Sequence, residues 1–517
     1  MGSNRQPPPP RARSFRALRR VLIANRGEIA VRIIRACREA GLESVAVYSD
    51  ADVNALHVRL ADRTERIGPP PPAESYLNIE ALLDAARRSG ADAVHPGYGF
   101  LSERAAFARA VTEAGLTFVG PPADAIERMG SKIGARDLMQ RSGVPIVPGL
   151  TPSDQTDGGI ADAAGRIGFP VLVKASAGGG GRGMRVVRSQ DDASALIAAA
   201  RREALGAFGD GTLYVEKLIE RPRHVEVQIF GDDAGNVIHL FERECSLQRR
   251  HQKVIEESPS PALSPALRER MGAAAIAAAK AVGYRNAGTV EFLLEGQGDE
   301  AHFYFLEMNT RLQVEHPVTE AVTGVDLVRA QLTVAAGEPL PWTPSTLHQR
   351  GHAIECRIYA EDPAADFLPQ AGPLLLYREP SGPGIRVDAG VVEGDEVGVN
   401  YDPMLAKLIA SAETRDAALR RAIAALRAFP VLGIRTNIPF LLRVLQLDDV
   451  QRGIVHTGFL DEHQPELAPP ATPPNDAVAV AALAGRVARR SSAHSRQSNA
   501  PDETYVDPWG RLENWGR

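Results

Sequence analysis

Apolar residues along the first part of the chain fall into two patterns that take turns. Val21-Leu22-Ile23-Ala24 is a continuous apolar run of the kind a buried parallel strand carries, and Val45-Ala46-Val47-Tyr48 is another. Between them Ile29, Ile33 and Cys37 recur on one helical face, with Arg32, Arg35 and Glu39 elsewhere, so a helix follows Gly27. A helix over 78–89, a strand Ala91–His95, a helix over 104–114 and a strand Thr117–Gly120 continue the series. Strand and helix in turn predict a parallel-sheet α/β domain over about residues 19–131. A single glycine after the first strand is too little for a dinucleotide-binding fingerprint.

The pattern changes further on. Pro170-Val171-Leu172-Val173-Lys174 reads as a strand, and so does Met184-Arg185-Val186-Val187. Between them, KASAGGGGRGM places five glycines in the six positions Gly178 to Gly183. The stretch can be parsed as G-x-G-x-x-G, but that fingerprint opens a helix, and here a strand follows. No G-x-x-x-x-G-K-[ST] string occurs. Strand, glycine loop, strand is a hairpin whose tip is almost free of side chains. Its backbone N–H groups can lie on phosphate oxygens, and it can open and close. A flexible linker is the plainer alternative; the strand and the lysine directly before the glycines favour a phosphate-covering flap. The flap segment spans about 150–222 and includes a further strand, Leu213–Lys217.

Strands resume at His224–Phe230, Val237–Glu242, Gly288–Leu294 and His302–Met308, with an alanine-rich helix over 266–282. Residues 351–411 read as short strands with turns, and helices follow over 415–428 and 436–446. Pro-, Ala/Arg- and Ser-rich stretches make 464–517 a linker-like tail. The expected organisation is a disordered tail over 1–18, the α/β domain over 19–131, a central domain over 132–340 with the flap as its lid, and a β-rich domain over 341–463.

Composition narrows the class. Hydrophobic residues make up 44% and charged residues 24%, ordinary for a soluble globular enzyme. No apolar run approaches the ~20 residues needed to cross a membrane. The net charge of −5 leaves no global basic field for nucleic acid. Cys37, Cys245 and Cys356 lie far apart, without metal or disulfide spacing, which fits a reducing compartment. The leader before Glu28 is arginine-rich and acid-free, but its proline run argues against a targeting helix and no apolar core suggests secretion. A cytoplasmic protein is expected, with the mitochondrial matrix as the alternative. Only six of the 59 basic residues are lysines: Lys132, Lys174, Lys217, Lys253, Lys280 and Lys407. Lysines that survive such a bias are enriched for places where a compact, flexible ammonium matters.

Three clusters carry candidate chemistry. Glu291 and Glu307 sit in strands of strongly apolar neighbours, and a carboxylate so placed needs a cation or a metal. Each alone reads as a solvent-facing acid; together with Asn309 and a phosphate flap they suit Mg²⁺, or Mn²⁺, bridging to phosphates. Arg311, Gln313 and Glu315 alternate, so in an extended segment they share a face, where cation, amide and carboxylate can hold and deprotonate a small oxyanion. A surface salt-bridge strand is the bland alternative. The run Cys245 to Lys253, CSLQRRHQK, is basic but lacks an aromatic, which argues against single-strand nucleic-acid binding and for a substrate-anion site. A solvated charge run remains credible for Arg249 and Arg250, and less so for Lys253.

Read together, ANRGEIAVRIIRAC, HPGYGFLSE, MGSK, KASAGGGGRGM, ERECSLQRRHQK and EMNTRLQVEHPVTE resemble the biotin carboxylase family of ATP-grasp ligases, over about Val21 to His463. FLPQAGPL, YDPMLAKLI and GIRTNIPFLL resemble the biotin carboxylase portion of acyl-CoA carboxylase α subunits, those acting on methylcrotonyl- or geranyl-CoA above all. The resemblance implies an α/β and α+β architecture: an N-terminal parallel-sheet domain, an ATP-grasp domain with a glycine-rich lid, and a β-rich C-terminal domain. It implies that ATP and bicarbonate give carboxyphosphate, whose carboxyl passes to N1 of biotin. On this resemblance Lys132, Lys174, His224, Gln248, His251 and Lys253 hold ATP phosphates and ribose, under Gly179, Gly180 and Gly181. Glu216, Lys217 and Leu293 line the adenine pocket, and Glu291, Glu307 and Asn309 bind Mg²⁺. Arg311, Gln313 and Val314 hold bicarbonate, Glu315 is its base, Arg357 stabilises the biotin enolate, and Tyr98 lies near the biotin ring. Implied partners are a biotin carboxyl carrier, a carboxyltransferase and a second copy of the chain, or a larger complex.

Some positions depart from the pattern. Arg104 stands where the family usually has Asn after LSE, and Gln297-Gly298-Asp299 lengthens a turn between the two acid-bearing strands. Biotin is attached to a lysine between methionines, and no lysine follows Lys407, so biotin is expected to act in trans and not on this chain. The closing DPWGRLENWGR resembles the start of the region that follows biotin carboxylase in longer α subunits. Either a separate carrier or a truncated chain accounts for this.

Overall fold

All of Val21–Ile23 and Val45–Val47 is buried, as strands covered by helices on both faces must be. The computed structural model describes residues 18–176 and 184–469. Its first sheet contains β1 (Arg20–Ile23), β2 (Glu43–Ser49), β3 (Arg63–Gly68), β4 (Ala93–His95) and β5 (Thr117–Phe118), in the order β3-β2-β1-β4-β5 and parallel throughout. Helices α1 (Gly27–Glu39), α2 (Ile79–Ser89) and α3 (Ala105–Glu113) fall where the periodicity placed them. Asn78 accepts a hydrogen bond from Ala81 N at the start of α2, and Gly90 ends the helix at a φ of 65°. The strand β3, RTERIG, was not foreseen; it is an exposed, charged edge strand and so lacks the apolar signal of its neighbours.

Helix α4 (Lys132–Arg141) leads to a small four-stranded sheet of β6 (Gly149–Leu150), β7 (Val171–Ala175), β8 (Met184–Val187) and β9 (Leu213–Lys217), covered by α5 (Asp157–Ile167) and α6 (Gln190–Phe208). Strands β7 and β8 pair antiparallel with Lys174 opposite Met184, which is the expected hairpin. Its glycine tip, including Gly179, Gly180 and Gly181, lies outside the described residues, as do the tails over 1–17 and 470–517.

The largest element is an eight-stranded sheet in which every neighbouring pair is antiparallel. It contains β10 (Arg223–Gly231), β11 (Val237–Arg249), β12 (Gln252–Ser258), β13 (Asn286–Glu295), β14 (His302–Asn309), β15 (His352–Tyr359), β16 (Ile385–Ala389) and β17 (Met404–Ala412). Their order is β14-β13-β10-β11-β12-β15-β17-β16. The alanine-rich helix α7 (Pro265–Ala281) packs beneath it, with Leu267, Met271 and Ala275 against Val225, Val227 and Phe292. Small residues let the helix approach the sheet closely. Helix α8 (His316–Thr323) follows β14, and α9 (Arg415–Arg427) and α10 (Ile438–Gln446) cover the sheet near β15 and β17.

Two expectations need correction. The strand expected at Val237–Glu242 runs on to Arg249 and returns as β12, so CSLQRRHQK is a hairpin. Its two turn residues, Arg250 and His251, have φ of 50° and 65°, the left-handed conformation a tight hairpin needs. The polar residues Arg243, Glu244 and Ser246 broke the apolar pattern, yet all are buried because each has a polar partner. The segment from Arg311 to Glu315 is not extended: it bends after β14 and turns at Val314–Glu315 into α8. No described helix is long and apolar enough to cross a membrane.

Candidate active site

The cross-strand register builds the floor of the site. Arg243 on β11 lies opposite Glu226 on β10, Glu226 opposite Glu291 on β13, and Glu291 opposite Glu307 on β14. Directly opposed residues share a face, so one cation and three acids form a row across four strands. Glu226 was not foreseen. It sits in HVEVQIF, the same acid-among-apolar pattern that marked Glu291, and that pattern was the available signal.

Lys253 reaches into this row from the hairpin. Its ammonium lies 2.6 Å from Glu226, 2.9 Å from Glu291 and 2.6 Å from Glu315. Glu291 also accepts from Asn309 Nδ2 at 2.7 Å and Gln313 Nε2 at 3.2 Å, and faces His224 Nε2 at 3.0 Å. Gln248 Nε2 meets the other nitrogen of His224 at 2.8 Å. Burial works to raise the Glu291 pKa, but Lys253 and His224 outweigh it and hold the carboxyl well below its usual range. The same contest keeps Glu315 well below: burial against Lys253, Arg357 and Arg243.

Arg357, on β15, bridges Glu315 at 3.0 Å and donates from Nε to Glu256 at 2.6 Å. Burial, together with the Glu315 charge, raises Glu256 to about 7 against the pull of Arg357. Arg311 does not touch Glu315. It pairs with Glu103 at 2.9 Å and donates to Gln313 Oε1 at 2.7 Å and Asn309 Oδ1 at 3.1 Å. The cations that keep Glu315 ionised are therefore Lys253 and Arg357, with Arg243 behind them, because the turn at Val314 swings Glu315 toward the hairpin and β15.

A cavity of about 440 Å³ opens over the row. Its wall brings together Lys132, Lys174, His224, Gln248, His251 and Lys253 with Glu291, Glu307 and Asn309, and with Arg311, Gln313, Val314, Glu315 and Arg357. An adjoining cavity of about 750 Å³ holds Tyr98 and shares Gln252, Arg311, Val314 and Arg357 with the first. Three expected residues fall outside both walls. Lys217 is exposed, Leu293 lies opposite His224 in the sheet, and Glu216 sits behind Lys174, which donates to it at 2.6 Å. Tyr214 and Leu306 line the smaller cavity and were missed, since apolar and aromatic strand residues read as ordinary core. Arg249 is not solvated: it pairs with Glu361 at 2.9 Å and stacks 3.9 Å over Phe367.

The acid pair can take a hard divalent cation. The Glu307 side chain is exposed to the open cavity and makes no hydrogen bond among the described residues; the crowding cleft walls, and then the Glu291 charge, raise its pKa. Two carboxylates from neighbouring strands, with an amide beside them, form an oxygen-rich set. Asn309 turns its nitrogen to Glu291 and its oxygen to Arg311, so it would have to rotate to serve as a ligand.

Residues 17–126 match the family described as biotin carboxylase, N-terminal domain, and residues 355–462 match the biotin carboxylase C-terminal domain. Between them, 131–343 match the carbamoyl-phosphate synthase L chain ATP-binding domain. The biotin carboxylase of Halalkalibacterium halodurans is 53% identical over 445 residues, covering 86% of this chain and 98% of that protein. The chain belongs to the biotin carboxylase family. Within that family it is also 50% identical over 454 residues to the mitochondrial methylcrotonoyl-CoA carboxylase subunit alpha of Rattus norvegicus, covering 88% of this chain but spanning only 63% of that subunit. Among solved structures, it is similar to the biotin carboxylase domain dimer of the Hydrogenobacter thermophilus 2-oxoglutarate carboxylase, solved with MgADP, ADP and bicarbonate. The TM-score is 0.83 at 45% identity, with 88% of this chain and 99% of that one covered.

Proposed function

We propose that the protein carboxylates biotin, using ATP and bicarbonate, as the first half-reaction of a biotin-dependent carboxylase. The observation that carries this is the chain Lys253–Glu315–Arg357, which joins a cavity walled by lysines and acids to a second cavity beside Tyr98. Anion activation and carboxyl acceptance would then occur at two ends of one buried charge network.

In the smaller cavity Lys132, Lys174 and Lys253 supply positive charge for the ATP phosphates, and His251 stands beside them as a hydrogen-bonding group. Glu291, Glu307 and, after rotation, Asn309 would hold Mg²⁺ or Mn²⁺, which neutralises phosphate charge when bound. Arg311, Gln313 and the Val314 backbone would seat bicarbonate within reach of Glu315. As found, Glu315 is a weak base, because Lys253 and Arg357 stabilise its charge. An anion arriving beside Lys253 and Arg311 cancels part of that field and raises Glu315's affinity for a proton. Glu315 then takes the bicarbonate proton while the bicarbonate oxygen attacks the γ-phosphorus and ADP departs, leaving carboxyphosphate. In the larger cavity Arg357 would stabilise charge on the ureido oxygen as carboxyphosphate splits into CO₂ and phosphate, the phosphate takes the proton of biotin N1, and N1 bonds to the CO₂ carbon. A positioned base contributes ~10²–10⁴-fold.

The biotin would come from a carrier protein or domain outside these residues, and a carboxyltransferase would consume the carboxybiotin and choose the acyl-CoA or other acceptor. A homodimer or larger complex is proposed as the working assembly. Three free, buried cysteines support a reducing compartment, with the cytoplasm proposed ahead of the mitochondrial matrix. The test is bicarbonate-dependent ADP release from ATP with free biotin as acceptor. Release driven by another acid, and not by bicarbonate, would assign the chain to a different ATP-dependent ligation.

A further inference from the structure

Of the six lysines, Lys132, Lys174 and Lys253 line the smaller cavity, and Lys217 and Lys280 are exposed. Lys407 is fully buried and has no part in the function proposed above. It lies on β17, directly opposite Arg357 of β15 on one side and Asp388 of β16 on the other, so the three share one face of the sheet. Its ammonium donates to the Val314 carbonyl at 2.7 Å, and lies 3.5 Å from Glu28 and 3.9 Å from Asp388. Val314 lines both cavities and immediately precedes Glu315 in the turn that opens α8.

Burying an ammonium is costly, and apolar residues of similar volume often serve stability as well or better. A methionine could fill this space. What it could not do is donate a hydrogen bond to a carbonyl exposed at a turn. The counter-ions are fixed independently. Glu28 sits in the first turn of α1, where a Cβ on Gly390 would come within 2.5 Å of the Glu28 nitrogen, so helix and β16–β17 connection are in close contact. Both Glu28 oxygens are buried without a hydrogen bond among the described residues; Lys407 is the cation paired with them, at 3.5 Å, and Arg386 adds a weaker attraction.

We infer that Lys407 is a positioning residue of this active site: by holding the Val314 carbonyl, with Glu28 and Asp388 as its counter-ions, it fixes the turn that presents Glu315 between Lys253 and Arg357. The inference rests on the function proposed above. Displacing a reacting group by about 1 Å can cost ~10²-fold in rate. In the full chain, Lys407→Met is expected to lower kcat for bicarbonate-dependent ADP release by about 10- to 100-fold and to leave the KM for ATP within about twofold. Amide hydrogen exchange over residues 310–320 should quicken by about tenfold or more. Lys407→Arg, which keeps charge and donor, should recover part of the lost turnover.

A folded Lys407→Met protein with wild-type kcat and exchange would overturn the inference. If that variant does not fold, Glu28→Gln/Lys407→Met removes the stranded carboxylate as well. Stability should return while kcat stays low; recovery of kcat along with stability would mean that Lys407 only balances Glu28. If the wild type itself shows no bicarbonate-dependent ADP release, the proposed function fails, whereas the exchange measurement still decides whether Lys407 holds the turn.

Discussion

Glu315→Gln separates chemistry from packing at the centre of the site. Glutamine keeps the shape and an accepting oxygen but cannot take a proton at working pH. Neither cation is stranded by the change. Lys253 keeps Glu226 at 2.6 Å and Glu291 at 2.9 Å, and Arg357 keeps Glu256 at 2.6 Å. The stability cost therefore falls short of the ~3–5 kcal/mol of breaking an isolated buried pair. Lys253 and Arg357 donate to different Glu315 oxygens, so with glutamine one hydrogen bond weakens and the other is lost, because the amide nitrogen cannot accept, at a cost of about 1–3 kcal/mol. Removing one carboxylate from beside Glu226, Glu256 and Glu291 offsets part of that. The loss of a general base is larger, ~10²–10⁴-fold in turnover, or about 3–5 kcal/mol at 1.36 kcal/mol per tenfold. Turnover per folded molecule should thus fall by far more than stability does, with ATP affinity retained. Bicarbonate-dependent ADP release, ATP titration and a melting curve on one preparation read all three. Turnover per folded molecule within about threefold of wild type would refute the general-base role.

Glu307→Gln should raise the Mg²⁺ concentration for half-maximal ADP release by about tenfold or more. Lys217→Met, an exposed side chain outside the cavity, should leave the KM for ATP within about twofold, and a larger change would restore it to the nucleotide site. Burial raises the Glu28 pKa to about 7 despite Lys407. The unfolded chain therefore loses this proton first as pH rises above its ordinary value, and the native state loses stability up to about pH 7. Between pH 5 and 8, the unfolding free energy from denaturant melts should shift in favour of Glu28→Gln over wild type by about 2–3 kcal/mol, and a pH-independent difference would contradict this. Glu257 goes the other way: burial opposes its charge, but hydrogen bonds from His352 and Arg415 lower it to about 2. Its contribution is present at neutral pH and lost as pH falls toward 2, so Glu257→Gln should cost about 3 kcal/mol at pH 7 and much less near pH 2 in urea melts.

Local pattern was enough to place β1, β2, α1, the β7–β8 hairpin and the acid-bearing strands β13 and β14, because each is set by apolar periodicity over a few residues. The same pattern exposed Glu291 and Glu307, since an acid is conspicuous in a strand that is otherwise apolar. Pairing across the sheet was not legible. That Glu226 stands opposite Glu291, or Lys407 opposite Arg357, depends on register between segments far apart in sequence. The polar strand at Arg243–Arg249 was hidden because its residues are buried only by virtue of distant partners. The partners of Glu315 were hidden for a related reason. Alternation placed Glu315 on one face with Arg311, four residues before it in the same segment, whereas the bend at Val314 hands the carboxylate to Lys253 and Arg357 from two other strands. Residue types and local elements can be read along the chain; which charges meet cannot, because ion pairing in a buried site is settled by chain crossings and not by neighbours in sequence.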